Sequence, residues 1–337
     1  MRQTALAVAA CLLAAAQFAP QPAAAQAKEI RLARQFSMGY LQFNVMEDQK
    51  LIEKHARALG LGDVTVSWDL FNGPDAMNNA LIAGRLDIVA GGAPGLLTLW
   101  GRTRGTPNEV RGISAFSSQP IWLNTRNPKV ASIADLTEDD RVAVPAVKVS
   151  IQAVMLQMAA AKLYGQANYA KLDPLTVSMS PPDATIAIMS GSAGVTCVFG
   201  VPPFQQQQLD RPGIRTILNS YDVMDGPHIF TVAWTSASFR ERNPVLYKAL
   251  IAAFREATEI LNKDRRAAAA LWIKATNSKL PLDKVGEIVS GAQVRWTMAP
   301  ENSMKFANFM HAVGSLKSAP QSWRDLFFPE VHDLDGS

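Results

Sequence analysis

Cysteine is nearly absent: the 337 residues hold two, Cys11 and Cys197. Cys11 falls in the leader segment described below, so Cys197 is left alone, no internal disulfide can form and stability must come from a buried core. The four histidines, His55, His228, His311 and His332, are scattered, and no pair has the spacing of metal ligands. The patterns G-x-x-x-x-G-K-S/T, G-x-S-x-G, H-E-x-x-H and C-x-x-C are all missing, which removes the usual signatures of phosphate-loop, serine-hydrolase, zinc-protease and thiol-redox chemistry. Neither a metal nor another cofactor is expected. A pI near 9.1 invites a nucleic-acid reading, but 33 Lys and Arg are mixed with 29 Asp and Glu. No basic run is interleaved with aromatics, and the densest cationic spot, Lys263 with Arg265 and Arg266, reads as helix surface. Beyond the leader, no apolar stretch approaches the ~20 residues a spanning helix needs.

What is present begins with that leader. Arg2, the apolar stretch from Ala5 to Ala16 and the small-x-small site Ala25-Gln26-Ala27 read as a secretory signal over residues 1–27, implying export to the periplasm. Val8-Ala9-Ala10-Cys11 also has the form of a lipidation box, close to the start for that role. With 48% hydrophobic and 18% charged residues the remainder has core enough for one large or two moderate domains.

The chain also repeats itself. Pro74-Asp75-Ala76 and Pro182-Asp183-Ala184 each open a helical stretch that stops at a glycine, Gly84 or Gly191. A short apolar run follows each, Leu86 to Ala90 and Val195 to Phe199, and each run ends in Gly and Pro, as a buried strand entering a turn does. Upstream, Ile30 to Ala33 and Arg141 to Val144 read as strands leading into helices. The first of these helices has Leu41, Val45, Ile52, Ala56 and Leu59 on one stripe and stops at Gly60; the second runs from about Ser150 to Tyr164 and stops at Gly165. From Asn243 onward the chain reads as helical, with Asn243 as N-cap before Pro244, Asp264 as a second cap and a last helix from Glu301 to Val313. Two similar α/β halves follow, with the chain crossing between them near Pro120 to Arg126 and back near His228 to Trp234.

In the strand and loop Arg31 to Gly39, the segment Ala80 to Ile88, Ser132-Ile133-Ala134-Asp135-Leu136 and the helix start Ser150-Ile151-Gln152, the chain resembles the substrate-binding proteins of ABC importers for nitrate, sulfonates and taurine. This NMT1-like group also includes binders of the thiamine pyrimidine precursor. The resemblance implies a type II periplasmic-binding-protein fold: two Rossmann-like α/β lobes, residues 28–122 with 232–337 and residues 123–231, joined by a two-crossing hinge around a ligand cleft. It further implies a monomer that captures a small anionic solute, an organosulfonate, taurine, nitrate or a related organic acid, and hands it to the permease and ATPase subunits of an importer without catalysis. A sensory binding protein serving a membrane receptor and a thiamine-precursor binder or synthase-like protein are the alternatives. Two departures stand out: Ser192-Ala193-Gly194-Val195 has no acid opposite Asp87, and Phe199-Gly200-Val201-Pro202 replaces an aromatic-acidic-proline pattern.

A permanent anion must be met by donors, and helix N-termini offer free N–H groups and partial positive charge. The candidate ligand residues are therefore Gln35, Phe36, Ser37 and Met38 in the first loop, Gly73 and Asp75 at the next helix start, and Gly92 and Ala93 after the following strand. The second half adds Lys148, Ser150 and Gln152, with Phe199, Trp234 and Tyr40 as apolar walls and His228 as a donor at the return crossing.

Overall fold

The computed structural model describes residues 26–337; the signal-peptide core and the Cys11 lipidation box lie outside them. Among the described residues two sheets form. The first takes β1 (Glu29–Gln35), β2 (Thr65–Phe71), β3 (Ile88–Gly92), β4 (Val110–Ser118), β10 (Ile229–Ser236) and β11 (Arg295–Trp296). The second takes β5 (Trp122–Thr125), β6 (Val142–Val144), β7 (Thr176–Ser178), β8 (Cys197–Phe199) and β9 (Arg215–Asn219). Their orders are β2-β1-β3-β10-β4-β11 and β7-β6-β8-β5-β9. Both therefore have three parallel strands followed by one antiparallel strand that arrives from the other half. Parallel strands are covered on both faces, which is why Val142-Ala143-Val144 is buried throughout.

The internal repeat is thus a repeat of topology, and it extends to single hydrogen bonds. In the first half Asp87 N–H donates to the Arg31 carbonyl (2.9 Å) while Arg31 N–H donates to Asp87 Oδ2 (2.9 Å). In the second, Thr196 N–H donates to the Arg141 carbonyl (3.1 Å) and Arg141 N–H to Thr196 Oγ1 (3.0 Å). Thr196 does for β6 what Asp87 does for β1, and the acid has moved to Asp140, whose carboxylate accepts from Thr196 Oγ1 at 2.8 Å. The missing acid near Ser192 is answered by this exchange.

Local expectations fail where a side chain finds a better partner. The long first helix is two, Leu41–Asp48 and Leu51–Ala58, separated where Lys50 takes a left-handed conformation (φ 51°). Glu47-Asp48-Gln49-Lys50 has nothing apolar to bury there, while Leu51, Ile52 and Ala56 continue the buried stripe. Asn243 precedes Pro244–Lys263 but does not cap it: its Oδ1 accepts from Ala27 N–H, and Gln26 Oε1 takes the N–H groups of Val245 and Leu246 instead. Asp264 caps Arg265–Thr276 through Ala267 N–H, and the last long helix is Ser303–Ala312. The C-terminal helix Pro244–Lys263 packs on Leu41–Asp48, Leu51–Ala58 and β4, that is, on the first sheet's side.

The chain passes from the first sheet to the second through Gln119–Ile121 and returns through Ser220–His228. The two crossings are bonded to each other. Ile121 N–H donates to Ser220 Oγ (2.9 Å), and the Ser220 hydroxyl faces His228 Nε2 (2.8 Å) while His228 Nδ1 faces the Ile229 carbonyl (2.9 Å). The arrangement is satisfied by a neutral ring with its proton on Nδ1. Burial between Tyr221 and Phe306 lowers the His228 pKa to about 4. The unfolded chain takes this proton near the ordinary histidine value and the folded chain only near 4, so the neutral ring's contribution is complete above ~6.5 and is lost as pH falls toward 4. Urea unfolding at pH 7 and at pH 4.5 should show the wild type losing roughly 2 kcal/mol more than His228→Gln over that interval; equal losses would remove this role for the ring.

Candidate functional site

The site is built from loops that leave the parallel strands and enter helices. After β1, Ser37 opens a 3-10 turn, Met38–Tyr40: its Oγ accepts from Gly39 N–H (3.0 Å) and donates to the Pro202 carbonyl (3.0 Å). Met38 N–H donates to the same carbonyl at 2.8 Å. After β3, Gly92 is the N-cap of Ala93–Thr103. After β6, Ser150 caps Ile151–Tyr164, accepting from Ala153 N–H (3.3 Å) and donating to the Ala146 carbonyl (2.7 Å).

These loops meet around one cavity between the sheets. Its walls include Gln35, Phe36, Ser37, Tyr40, Gly92 and Thr231 from the first side and Pro145, Ser150, Ile151, Gln152, Pro181 and Val201 from the second. Its free space is about 30 Å³, room for a water or two. The halves are in contact here: a Cβ on Gly92 would lie 2.6 Å from Ile151 Cβ, and one on Gly73 would lie 3.2 Å from the Pro145 carbonyl oxygen. Any organic solute enters only if the halves part.

The electrostatics come from the backbone. No Asp, Glu, Lys, Arg or His lines the cavity among the described residues. Four α-helices start on its wall, at Pro74, Ala93, Ile151 and Pro181, each worth about half a positive charge at its N-terminus. Pro74–Ile82 and Pro181–Ser190 carry Asp75 and Asp183 in their first turns, which offset that charge; Ala93–Thr103 and Ile151–Tyr164 carry none. The positive field is therefore strongest between Gly92 and Ser150. Side-chain donors supplement it. Gln35 Nε2 is buried on this wall without a hydrogen-bond partner, and burial pushes the Tyr40 phenol pKa far up, so it stays a donor.

Of the sequence candidates, Gln35, Phe36, Ser37, Tyr40, Gly92, Ser150 and Gln152 line this cavity. The others sit elsewhere. Met38 is buried with its N–H on Pro202, and Ala93 is buried just inside its helix. Gly73 abuts Pro145 from the outside, and Asp75 and Lys148 are exposed, Lys148 in a left-handed conformation (φ 67°). Phe199 is 1% exposed, packed in the core rather than serving as a wall. Trp234 lies beneath the floor: its Cη2 would be 3.2 Å from a Cβ on Gly95. His228 is a hinge residue, its ring nitrogens already engaged. Residues that the sequence reading missed, Pro74, Pro145, Pro181, Val201, Phe230 and Thr231, are mostly prolines and apolar residues at element ends. The duplicated prolines before Asp75 and Asp183 were the available signal, because Pro at the first helical turn marks the same helix starts.

Fold and site together define a two-sheet α/β protein of the periplasmic-binding-protein type. The chain belongs to the NMT1-like family, whose model matches residues 23–274. Among solved structures it is similar to the alkanesulfonate-binding protein SsuA from Xanthomonas axonopodis pv. citri bound to MOPS, at 17% identity over 88% of this chain and 96% of that one (TM-score 0.64). It is similar to the periplasmic aliphatic sulphonate-binding protein SsuA from Escherichia coli, at 17% identity over 89% and 92% (TM-score 0.65). It is also similar to the periplasmic nitrate-binding protein NrtA from Synechocystis, at 14% identity over 90% and 86% (TM-score 0.67). At such identities the likeness is one of fold. No protein of curated function matches the chain in sequence.

Because Gly92 meets Ile151 without room for a methyl group, Gly92→Ala should hold the halves apart. Small-angle scattering should then give a larger radius of gyration than wild type in the presence of any bound solute, and affinity for that solute should fall at least about ten-fold, ~1.4 kcal/mol. A variant that closes and binds normally would mean that this seam does not govern closure.

Proposed function

We propose that the protein is the extracytoplasmic solute-binding component of an ABC importer, which captures a small organic or inorganic anion between two lobes and delivers it to the permease and ATPase subunits. The lobes in this reading are residues 28–122 with 232–337 and residues 123–231, each holding most of one sheet; Trp122 of β5 and Ile229–Thr231 of β10 fall on the other side of these bounds from the rest of their strands. The observation that carries it is the cavity itself: two helix starts without opposing acids, an unpartnered amide donor on Gln35 and no charged side chain. Hydrogen bonds to a charged group contribute ~1.5 to 3 kcal/mol each, so three or four donors suffice for ~−8 kcal/mol, micromolar binding. The family and the fold neighbours support the same class.

Within that class the chemistry of the walls favours some solutes. Taurine carries an ammonium as well as a sulfonate, and no carboxylate lines the cavity to receive it. Simple alkanesulfonates, carboxylates and nitrate fit the donor set better. The walls hold no lysine to carry pyridoxal phosphate and no histidine, so a binder is favoured over the synthase-like alternative. Export follows from the leader in this reading, and its end is best drawn ahead of Gln26 rather than after Ala27, since Gln26 bonds to the first turn of Pro244–Lys263 and Ala27 to Asn243 just before it.

Calorimetric titration with ethanesulfonate, taurine, nitrate, sulfate and acetate tests this reading. Saturable one-to-one binding by at least one anion, with taurine weaker than ethanesulfonate, is expected. Gln35→Met, which removes the amide donor at similar volume, should weaken that binding about ten-fold. Binding confined to cations or sugars would overturn the proposal.

A further inference from the structure

A second chamber, of about 390 Å³, lies on the other side of the Gln35–Ser37 loop. Arg34, Asn44, Trp272 and Ala275 contribute to its wall from the first half, and Pro203 and Phe204 from the second. The loop Gln35–Ser37 borders both spaces, and the Pro202 carbonyl holds it through Ser37 and Met38.

Its lining is mostly apolar, yet three residues that border this chamber and not the first cavity, Arg34, Asn44 and Trp272, have buried donors (Nη1, Nδ2 and Nε1) without a hydrogen-bond partner among the described residues, and Gln35 Nε2, on the wall of both spaces, is a fourth. Asn44 is 2% exposed and Trp272 6%. The three residues belong to β1 and to the separate helices Leu41–Asp48 and Arg265–Thr276, and no residue of this wall has an unpartnered buried acceptor. Arg34 is half answered: Nη2 holds Glu47 Oε2 at 2.6 Å and the guanidinium lies 5.5 Å from the Trp68 ring centre, while Nη1 has nothing. Buried donors are paired in the great majority of cases, so unpartnered buried donors call for an acceptor supplied from outside. An apolar chamber with a few placed polar groups is also the usual form of a small-molecule site. Leu70, 54% exposed at its edge, adds apolar surface that the described residues leave open.

We propose that this chamber is a second binding site, for a monocarboxylate with an apolar body. The carboxylate accepts from Arg34, Asn44 and Trp272, and the body lies against Leu70 and Phe204. Both halves contribute walls, so occupancy favours the closed arrangement independently of the anion at the helix starts.

Hexanoate is a suitable probe, with hexan-1-ol as the control lacking a carboxylate. In the ¹⁵N-labelled protein the Trp272 indole N–H signal, assigned by its loss in Trp272→Phe, should move downfield and saturate with hexanoate but not with hexan-1-ol or ethanesulfonate. Calorimetry should show hexanoate binding weakened at least ten-fold by Ala275→Trp, which fills the chamber, and by Asn44→Leu, which removes a donor at similar volume. Ethanesulfonate binding should survive in both variants, so this result is separable from the one at the helix starts. A Trp272 signal unmoved at millimolar hexanoate, as expected if water alone occupies the chamber, overturns the proposal, as does unchanged hexanoate affinity in folded Asn44→Leu.

Discussion

A single carbonyl, that of Pro202, holds the loop after β1 to the loop after β8 by accepting from both Ser37 Oγ and Met38 N–H. Two donors that an anion might use are thereby spent within the protein. What remains for a solute lies deeper, at the helix starts beside Gly92 and Ser150 and on the Gln35 amide. The loop so held, Gln35 to Ser37, borders both the small cavity and the larger chamber, so parting the halves at Pro202 would change the shape of both.

The halves can part as units because their internal bonding is self-contained and duplicated. The Arg31–Asp87 and Arg141–Thr196 exchanges tie each leading strand to the third strand of its own sheet, and the hinge bonds among Ile121, Ser220 and His228 tie only the two crossings together. A motion about the crossings leaves both sheets intact. Contacts that must break lie at the seam: Pro202 with Ser37 and Met38, Gly92 against Ile151, and the exposed Lys284–Asp210 pair, which is worth little in water.

Much of this was legible in the sequence. Pro74 and Pro182, Gly84 and Gly191, and the apolar runs after them announced two α/β halves, because strand and helix signals repeated in the same order. Ser150 and Gly165 bounded their helix correctly, since N-caps and glycine C-caps act locally. Long-range partners were not legible. Asn243 has the right residue type for a cap, but Gln26, more than two hundred residues away, does the capping. His228 has the right chemistry for a ligand, but Ser220 and Ile229 already engage it. Phe199 is an aromatic at a strand end, and only the packing of residues distant in sequence into one core buries it.

The distribution of acids among the helix starts also has a physical logic. Asp75 and Asp183 occupy duplicated first-turn positions, where a carboxylate stabilises a helix by ~0.3 to 1 kcal/mol and cancels part of its field. Ala93–Thr103 and Ile151–Tyr164 forgo that gain. They are the two helices brought face to face at the Gly92–Ile151 seam, one from each half. Among the four helix starts on the cavity, the uncompensated field therefore lies where the halves meet, and an anion placed there would interact with both helix ends in the closed arrangement and with one in the open. In the proposed reading, that difference in interaction energy is what would let a bound anion draw the halves together, with no charged side chain required.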